Sequence, residues 1–453
     1  MLTAFFRAFR MPDLRGKLLF TLAIMALYRF GAHLPLPGVD TRTLAACTGA
    51  SSRSGSGSGS GSQAFGLLNL FSGGALQQLS IFALGITPYI TASIILQLLT
   101  VVIPRLEALK KEGQTGQAKI TQYTRYLTIG LSVLESTMTL TAARNNPGYL
   151  LGQKCDGVAV FYPTVTWEGM AVMVIIMTAA TSLLMWLGEL VTDRGVGNGM
   201  SVLMFTSIAA RFPGSLWAIK LNSHTLGGWP VFAAVLALGM LVVAAVVFVE
   251  QGQRRIPVQY SKRMVGRRAY GGTSTYIPLK LNQSGVVPVI FASSLLQMPV
   301  MLVGLTGGST TTRGWQGWIN RNLTTTIHGY PLTYTLSYLL LILGFAFFYM
   351  SITFDTVEIA DNMKKYGGFV PGIRSGRPTV EYLHYIATRI TWPGALYLAI
   401  IAAIPMIALD RLHATASFPF GGTTILIMVG VGLETVKQIE SQLQQHNYEG
   451  FLR

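Results

Sequence analysis

Basic side chains form the first candidate binding surface in this sequence. Between Gly252 and Ser284 the chain has no Asp or Glu, although apolar segments flank the stretch on both sides. Its basic residues are Arg254, Arg255, Lys262, Arg263, Arg267, Arg268 and Lys280. Guanidinium and ammonium groups bind phosphates and carboxylates, so the stretch predicts contact with a large anionic partner. Its tyrosines, glycines and prolines favour an ordered hairpin that protrudes from the apolar part of the chain.

A second basic segment runs from Asp355 to Arg389. Its cationic residues are Lys364, Lys365, Arg374 and Arg377, and the glycines and prolines between them predict a shaped loop. Ribosomal RNA, an acidic motor protein and anionic lipid would each suit both segments electrostatically. A simpler explanation is that the charges only fix the orientation of the chain in a membrane. Charge alone leaves these alternatives open.

Catalytic and metal-binding patterns are absent from the sequence. It contains no CxxC, HExxH, Walker A loop or hydrolase elbow, and its six histidines are scattered. We therefore expect no enzyme activity, no cofactor and no metal site. The two cysteines, Cys47 and Cys155, fall in segments assigned below to the outside, where a disulfide would be permitted. Two free buried thiols explain them equally well.

Apolar segments long enough for a membrane recur along the whole chain. Of all residues, 51% are hydrophobic and only 11% are charged, and a bilayer core about 30 Å thick requires about 20 apolar residues per helix. The pattern predicts an all-α integral membrane protein with ten transmembrane helices. The predicted spans are 18–36, 75–103, 126–141, 170–190, 200–218, 230–249, 286–305, 332–354, 390–409 and 423–437.

Lys and Arg counts predict the orientation of these spans. Placing the N-terminus and every second loop in the cytoplasm puts most of the 34 basic residues there. The positive-inside rule then places both termini in the cytoplasm. Both basic segments become cytoplasmic loops, 252–284 and 355–389, that could also attract anionic lipid.

A Ser/Gly tract precedes a broken apolar segment. Residues 54–62 alternate strictly between Ser and Gly, which is typical of a flexible linker, natural or engineered. A short apolar segment follows, then Ser72-Gly73-Gly74, and then a predicted long helix over 75–103 that contains Pro88. Irregular backbone at membrane depth is tolerated only where protein or a cavity surrounds it. The segment 64–73 is therefore predicted to be a re-entrant plug above a cavity.

Long stretches of the chain resemble the SecY family of bacterial protein-conducting channel subunits, with an actinobacterial-like character. The matching motifs include NLFSGGAL, SIFALGITPYITASIILQLLTVV, MWLGELVTDRGVGNGMS, VEQGQRRIPVQYSKRMVGRRAYGG and ADNMKKYGGFVPGIRSGRPT. The resemblance implies a clamshell of two inverted five-helix halves, 1–222 and 223–453, with a pore between them. It also implies a plug whose residues include Ala64, Phe65, Leu67, Leu68, Asn69, Leu70 and Phe71. The Ser/Gly tract departs from the family pattern and puts the plug's position in doubt.

The resemblance also implies an apolar pore ring. Its positions are Ile86 and Ile90, Met200 and Met204, Ile290, and Ile427. The two residues of each pair are four apart and so lie on one helix face. An apolar constriction resists small ions because it cannot replace their hydration shell, and methionine is flexible enough to yield. Without the resemblance, these side chains would be interpreted as ordinary core residues.

Glu135 is a carboxylate well inside a predicted span, where a charge is costly unless paired or neutral. The resemblance groups it with Thr91 and Asn282 in the polar cluster of a lateral gate. A surface glutamate that reaches water and a proton-coupling acid of a small-solute transporter are the alternatives.

The implied function is a passive channel that passes unfolded secretory polypeptides across the plasma membrane and releases transmembrane segments sideways into lipid. The implied partners are SecE and SecG, the motor ATPase SecA, the ribosome, and signal peptides with their nascent chains. A small-solute transporter and a membrane scaffold without a pore are the competing functions.

Overall fold

The structure is a computed structural model of the chain. It describes residues 11–44, 46, 72–145, 147, 160–162, 165–222, 229–260, 263–265, 268–270, 274–305, 314–319, 332–411 and 422–449. The helices in these residues are α1 Pro12–Gly31, α2 Thr87–Val102, α3 Pro104–Lys111, α4 Gln114–Asn145, α5 Trp167–Arg194, α6 Gly199–Asn222, α7 Trp229–Gln251, α8 Val287–Leu305, α9 Trp315–Ile319, α10 Leu332–Thr353, α11 Thr356–Lys365, α12 Arg377–Arg411 and α13 Gly422–Glu449. The strands are β1 Gln253–Tyr260, β2 Arg263–Val265, β3 Arg268–Tyr270, β4 Ser274–Lys280 and β5 Gly368–Phe369.

Each predicted span overlaps one of the long helices. Within the described residues, three helical stretches are long and apolar enough to cross a membrane: Trp167–Arg194, Thr333–Lys365 and Arg377–Ala403. The pair α2 and α3, bent by 100° at Ile103, qualifies if it is counted as one broken span. Helices α4, α12 and α13 extend well beyond the predicted spans, because hydropathy detects only their apolar parts. The chain is thus a mostly helical protein with several apolar helices suited to a membrane.

The predicted helix over 75–103 is wrong at its start. Residues 72–86 form turns, and α2 begins only at Thr87 with Pro88 in its first turn. Proline is well tolerated there because the first helical N–H groups have no intrahelical partner. Gly73, Gly74 and Gly85 have φ values of 66°, 94° and 58°, a conformation that favours glycine and does not continue a helix. We call residues 72–86 the turn segment.

The predicted hairpin in the first basic loop is confirmed, and the sheet extends beyond it. Strands β1 and β4 pair antiparallel from Gln253–Lys280 to Gln259–Ser274, and β2 pairs with β3 nearer the tip. The order of the larger sheet is β4-β1-β5. Strand β5 belongs to the second basic segment and pairs with the end of β1 through Gln259 and Tyr260. The two basic loops therefore form one structure.

The second basic segment is mostly helical, contrary to the predicted loop. Helix α11 occupies its start and α12 its end, with β5 and a turn between them. Asp355 caps α11 by accepting hydrogen bonds from the amides of Val357 and Glu358 at 2.9 and 3.1 Å. The sheet packs on α10, α11 and α12 through one apolar core: Ile256, Val258, Leu279, Met350, Phe354, Met363, Val370, Leu383, Ile386, Ala387 and Ile390. We call this sheet with α11 the basic sheet.

Candidate pore constriction and partner-binding surface

The six side chains predicted to form the pore ring lie in two adjoining apolar clusters. Met204 and Ile427 belong to one cluster, against which Ile90 and Ile290 pack. Ile86 and Met200 belong to the other, against which Ile90 also packs. Because Ile90 packs against both clusters, the two clusters adjoin. We call these six residues the constriction.

A narrow cavity lies where the two clusters adjoin. Its volume is about 10 Å³, which is roughly the space of one water molecule. The cavity is lined by Ile86, Thr87, Ile90, Met204, Ile290 and Ser294. A cavity of this volume is too small for a hydrated ion, which carries several waters. The lining also contains two hydroxyl residues, Thr87 and Ser294, which the sequence analysis did not predict.

Packing of small residues positions the constriction side chains. Helix α5 presents Gly188 to Met200, and a Cβ at position 188 would lie 2.0 Å from the Met200 sulfur. A larger residue at 188 would therefore push Met200 aside. On the same helix face, Met200 and Met204 are 8% and 6% exposed, so both are held inside the protein. The glycine therefore allows α6 to pack closely against α5.

Two arginines hold the turn segment that leads to Ile86. The Arg29 Nη1 group donates to the Gly73 carbonyl at 3.0 Å, and Arg211 Nη2 donates to Gln77 Oε1 at 2.9 Å. The backbone of Ser207 approaches Gly73 so closely that a Cβ there would lie 3.1 Å from it. The turn segment is thus held by a hydrogen bond from α1 and by a hydrogen bond and close backbone packing from α6. The sequence signal was Arg29, a charge inside a predicted span.

The three residues of the predicted gate cluster lie on elements that pack together, since α4 contacts both α2 and α8. Thr91 and Glu135 are buried, and Asn282 is buried just before α8. Thr91 donates to the Thr87 carbonyl at 2.9 Å, and one carboxylate oxygen of Glu135 is buried without a hydrogen-bond partner. Among the described residues, no hydrogen bond joins the three side chains to one another.

Asn282 instead binds Glu250, a residue that the sequence prediction missed. Asn282 Nδ2 donates to Glu250 Oε1 at 2.6 Å and to the Gly285 carbonyl at 3.1 Å. Glu250 lies in the last turn of α7, one residue beyond the predicted span. Its position directly between an apolar run and the basic hairpin was the available signal, because a lone carboxylate there needs a partner.

The basic sheet presents its charges on its outer surface. Ile256 and Val258 point into the core, whereas Arg254 and Arg255 are exposed. The Arg255 guanidinium lies 4.8 Å from the centre of the Tyr276 ring, a cation–π contact across the strand pair. Lys364, Lys365, Arg374 and Arg377 are exposed as well, and Arg377 forms an exposed ion pair with Glu381 at 3.4 Å. Exposed pairs of this kind are weak, so the surface remains available to an anionic partner.

Several predicted positions fall outside the described residues. These are the plug residues Ala64, Phe65, Leu67, Leu68, Asn69, Leu70 and Phe71, together with Cys47, Cys155, Lys262 and Arg267. For Arg263 and Arg268 the structure describes the backbone, in β2 and β3, and not the side chains. In the portion of the chain that is described, no group of three or more His, Cys, Asp or Glu residues could hold a metal ion.

Comparison with known proteins places the chain in a family. A profile of the SecY family matches residues 80–436. The protein translocase subunit SecY of Streptomyces galbus is 62% identical over 454 residues, which cover all of both chains. The chain belongs to the SecY family. The SecY protein of Mycobacterium tuberculosis is 52% identical over 458 residues, again covering both chains completely.

Solved structures of channel complexes share the fold. A structure described as that of a protein conducting channel superposes with a TM-score of 0.62 at 17% identity and covers 94% of this chain and 92% of the other. Sec61 in the canine ribosome-channel complex gives 0.60 at 17% identity, with the same coverage. The yeast Ssh1 complex bound to the 80S ribosome gives 0.60 at 14% identity and covers 93% and 89%. Likeness at this identity shows the SecY/Sec61 channel fold.

Proposed function

We propose that this chain is a passive protein-conducting channel of the plasma membrane. The proposal is carried by one narrow cavity that four of the six predicted ring residues line: Ile86, Ile90, Met204 and Ile290. Ile86 and Ile90 come from the first half of the chain, as do both methionines, and Ile290 and Ile427 come from the second. A collar shared by two halves can widen when they separate. Flexible apolar side chains would then close around an extended polypeptide without binding any particular sequence.

The proposed architecture is a ten-span clamshell of two inverted halves, 1–222 and 223–453, with both termini in the cytoplasm. The seam between α2 and α8 serves as a lateral gate through which transmembrane segments pass into lipid. Thr91, Glu135 and Asn282 border this seam and exchange partners as it opens, and a signal peptide opens it. The plug formed by residues 64–73 leaves the centre during transport, and any bridge between Cys47 and Cys155 lies outside.

Energy for transport comes from a partner, because the sequence contains no nucleotide-binding motif. We assign the basic sheet and the β2–β3 tip, with Arg263, Arg267 and Arg268, to the motor ATPase SecA and the ribosome. Two structural neighbours that are ribosome-bound channel complexes support the assignment to the ribosome. SecE and SecG would complete the complex, and anionic lipid would contact the remaining cytoplasmic charges.

A stalled secretory chain tests the function directly. Cysteines are placed at Ile86 and Ile290 in a chain whose Cys47 and Cys155 are replaced by serine, and a probe in the stalled chain is crosslinked to them. We expect crosslinks at both positions, because the polypeptide must pass the collar. Ile175→Cys is the matched control, since Ile175 is 66% exposed on the outer face of α5. Contact at Ile175 alone, or at none of the three, would exclude a polypeptide pore and favour a solute carrier.

A further inference from the structure

Glu250 lies where the basic sheet joins the helix that carries Ile290. It is a partly buried carboxylate in the last turn of α7, and β1 starts three residues later. The charged and titratable groups close enough to act on it are Lys280 of β4, Lys437 of α13 and Tyr397 of α12. Elements of both the sheet and the membrane part therefore meet at this one side chain.

On the sheet side, the junction is fixed by the end of the β1–β4 ladder. Gln253 pairs with Lys280, and the Leu281 amide donates to the Gly252 carbonyl at 2.9 Å. The Leu281 carbonyl then lies so close to α12 that a Cβ at Gly394 would be 2.4 Å from it. Displacement of the hairpin must therefore move Leu281 and the residue after it, Asn282.

On the constriction side, Asn282 leads directly into α8. Its side chain binds the Gly285 carbonyl, and Ser284 donates to Asn282 Oδ1 at 3.3 Å. Val286 follows, approached by Gly430 of α13, where a Cβ would lie 3.0 Å from a Val286 methyl group. Val286 packs in the same cluster as Ile290 and Met204. A continuous set of contacts thus connects the sheet to the constriction.

We propose that Glu250 is a positioning residue that couples an anionic partner docked on the basic sheet to the start of α8. By accepting the Asn282 hydrogen bond, Glu250 makes the hairpin base and the first turn of α8 move as one unit. Partner docking then displaces Ile290 relative to Ile86 and loosens the constriction. Without this bond, the hairpin can follow the partner while α8 stays in place. This coupling rests on the proposed channel function.

The test measures docking and loosening separately. The complete channel complex in lipid nanodiscs carries Ile86→Cys and Ile290→Cys, with the native cysteines replaced by serine, and a short thiol crosslinker reports how close the two positions are. The probe is the motor ATPase with a non-hydrolysable ATP analogue. In the channel that keeps the native Glu250, we expect motor docking to lower the crosslinking yield about threefold. A change of this size is within the range of coupling that single residues carry. In Glu250→Ala, the motor should bind with unchanged affinity and leave the yield unaltered.

Further variants separate a specific bond from a general loss of structure. Asn282→Ala should abolish the yield change to the same degree, and the double variant should be no worse than either single one, because all three remove the same hydrogen bond. Glu250→Gln keeps an acceptor oxygen and should retain most of the response. Glu168→Ala, at an exposed acid in the first turn of α5 and outside the basic sheet, is the matched control and should respond fully.

Several results would overturn the coupling. Two of them concern Glu250→Ala: a full change of crosslinking yield on docking, or a loss of motor affinity. The others are a double variant whose loss of response is the sum of the two single losses, and a channel with native Glu250 whose yield does not change on docking. The channel function is judged separately, from stalled-chain contact with the same two cysteines. If the stalled chain contacts both cysteines and Glu250→Ala still shows the full yield change on docking, only the coupling is refuted. If the stalled chain contacts neither cysteine, the channel function is refuted.

Discussion

The constriction is assembled from side chains on the turn segment and on four helices, α2, α6, α8 and α13, whereas the basic sheet is assembled mainly from backbone hydrogen bonds between strands. In the constriction, apolar groups such as Ile427 and Met204 touch without directional bonds. In the sheet, β1 pairs with β4 from Gln253 to Gln259 and with β5 at Gln259 and Tyr260. Dispersion contacts can be exchanged for others at little cost, but a ladder hydrogen bond cannot be lost so cheaply. We therefore expect the constriction side chains to rearrange more easily than the sheet.

The largest expected effect tests the rigidity of the sheet. Leu279→Ala removes a fully buried side chain from the core beneath β4, which should lower the local stability of the sheet by about 2–5 kcal/mol. Hydrogen exchange of the β1 and β4 amides measures this change. Tyr276→Phe on the exposed side is the control and should leave exchange unaltered. Equal exchange in Leu279→Ala and the unmodified chain would mean that the core does not hold the sheet.

A second prediction tests the yielding region. Met204→Asn places an amide in the constriction, where burying a polar group costs about 1–3 kcal/mol and favours a hydrated, open arrangement. We expect the ion leak of the resting channel in planar bilayers to rise about tenfold, which corresponds to about 1.4 kcal/mol.

The matched control for that variant is Met204→Leu, which conserves volume and should leave the leak near that of the unmodified channel. If Met204→Asn remains as tight as Met204→Leu, the constriction is not the barrier to ions.

Charge on the outer surface of the sheet gives a third prediction. Arg374→Glu should lower motor-driven translocation about tenfold, because a like-charge contact at an interface costs on the order of 1.4 kcal/mol or more. Translocation of a secretory substrate into vesicles measures it, at two salt concentrations, since screening should reduce the difference. Arg377→Glu, which also loses the Glu381 pair, is a useful comparison. Undiminished transport in Arg374→Glu would remove this residue from the partner surface.

The smallest effect is expected at Glu135. Glu135→Gln keeps the shape of the side chain and one acceptor oxygen, and an interhelical hydrogen bond of the kind that we propose it forms as the seam opens is worth only about 0.6 kcal/mol on average within a membrane. The fraction of weak signal sequences that are exported should therefore change by about threefold or less, while strong signals still function. An export assay with a graded signal series measures this. Complete loss of export would indicate a larger role than membership of a polar cluster.

Much of the candidate site could be predicted because it depends on local features. Apolar runs marked each long helix, since a membrane helix must be apolar over most of its length. The constriction positions were implied by the family resemblance, which motifs such as GITPYI around Ile86 and Ile90 carry. In contrast, the start of α2 at Thr87 was missed, because a hydropathy profile does not distinguish an apolar turn segment from an apolar helix. Positive φ angles at Gly73, Gly74 and Gly85 made that difference.

The sequence by itself determined the membrane class of this chain, its SecY family and the segments that bear positive charge, because composition and motif spacing are local properties. Only the tertiary structure decided that β5 joins β1 across more than a hundred residues, and that Glu250, not Glu135, is the hydrogen-bond partner of Asn282. Such pairings depend on which backbone and side-chain groups remain unsatisfied after the helices pack. That is a property of the whole fold and not of any stretch of sequence.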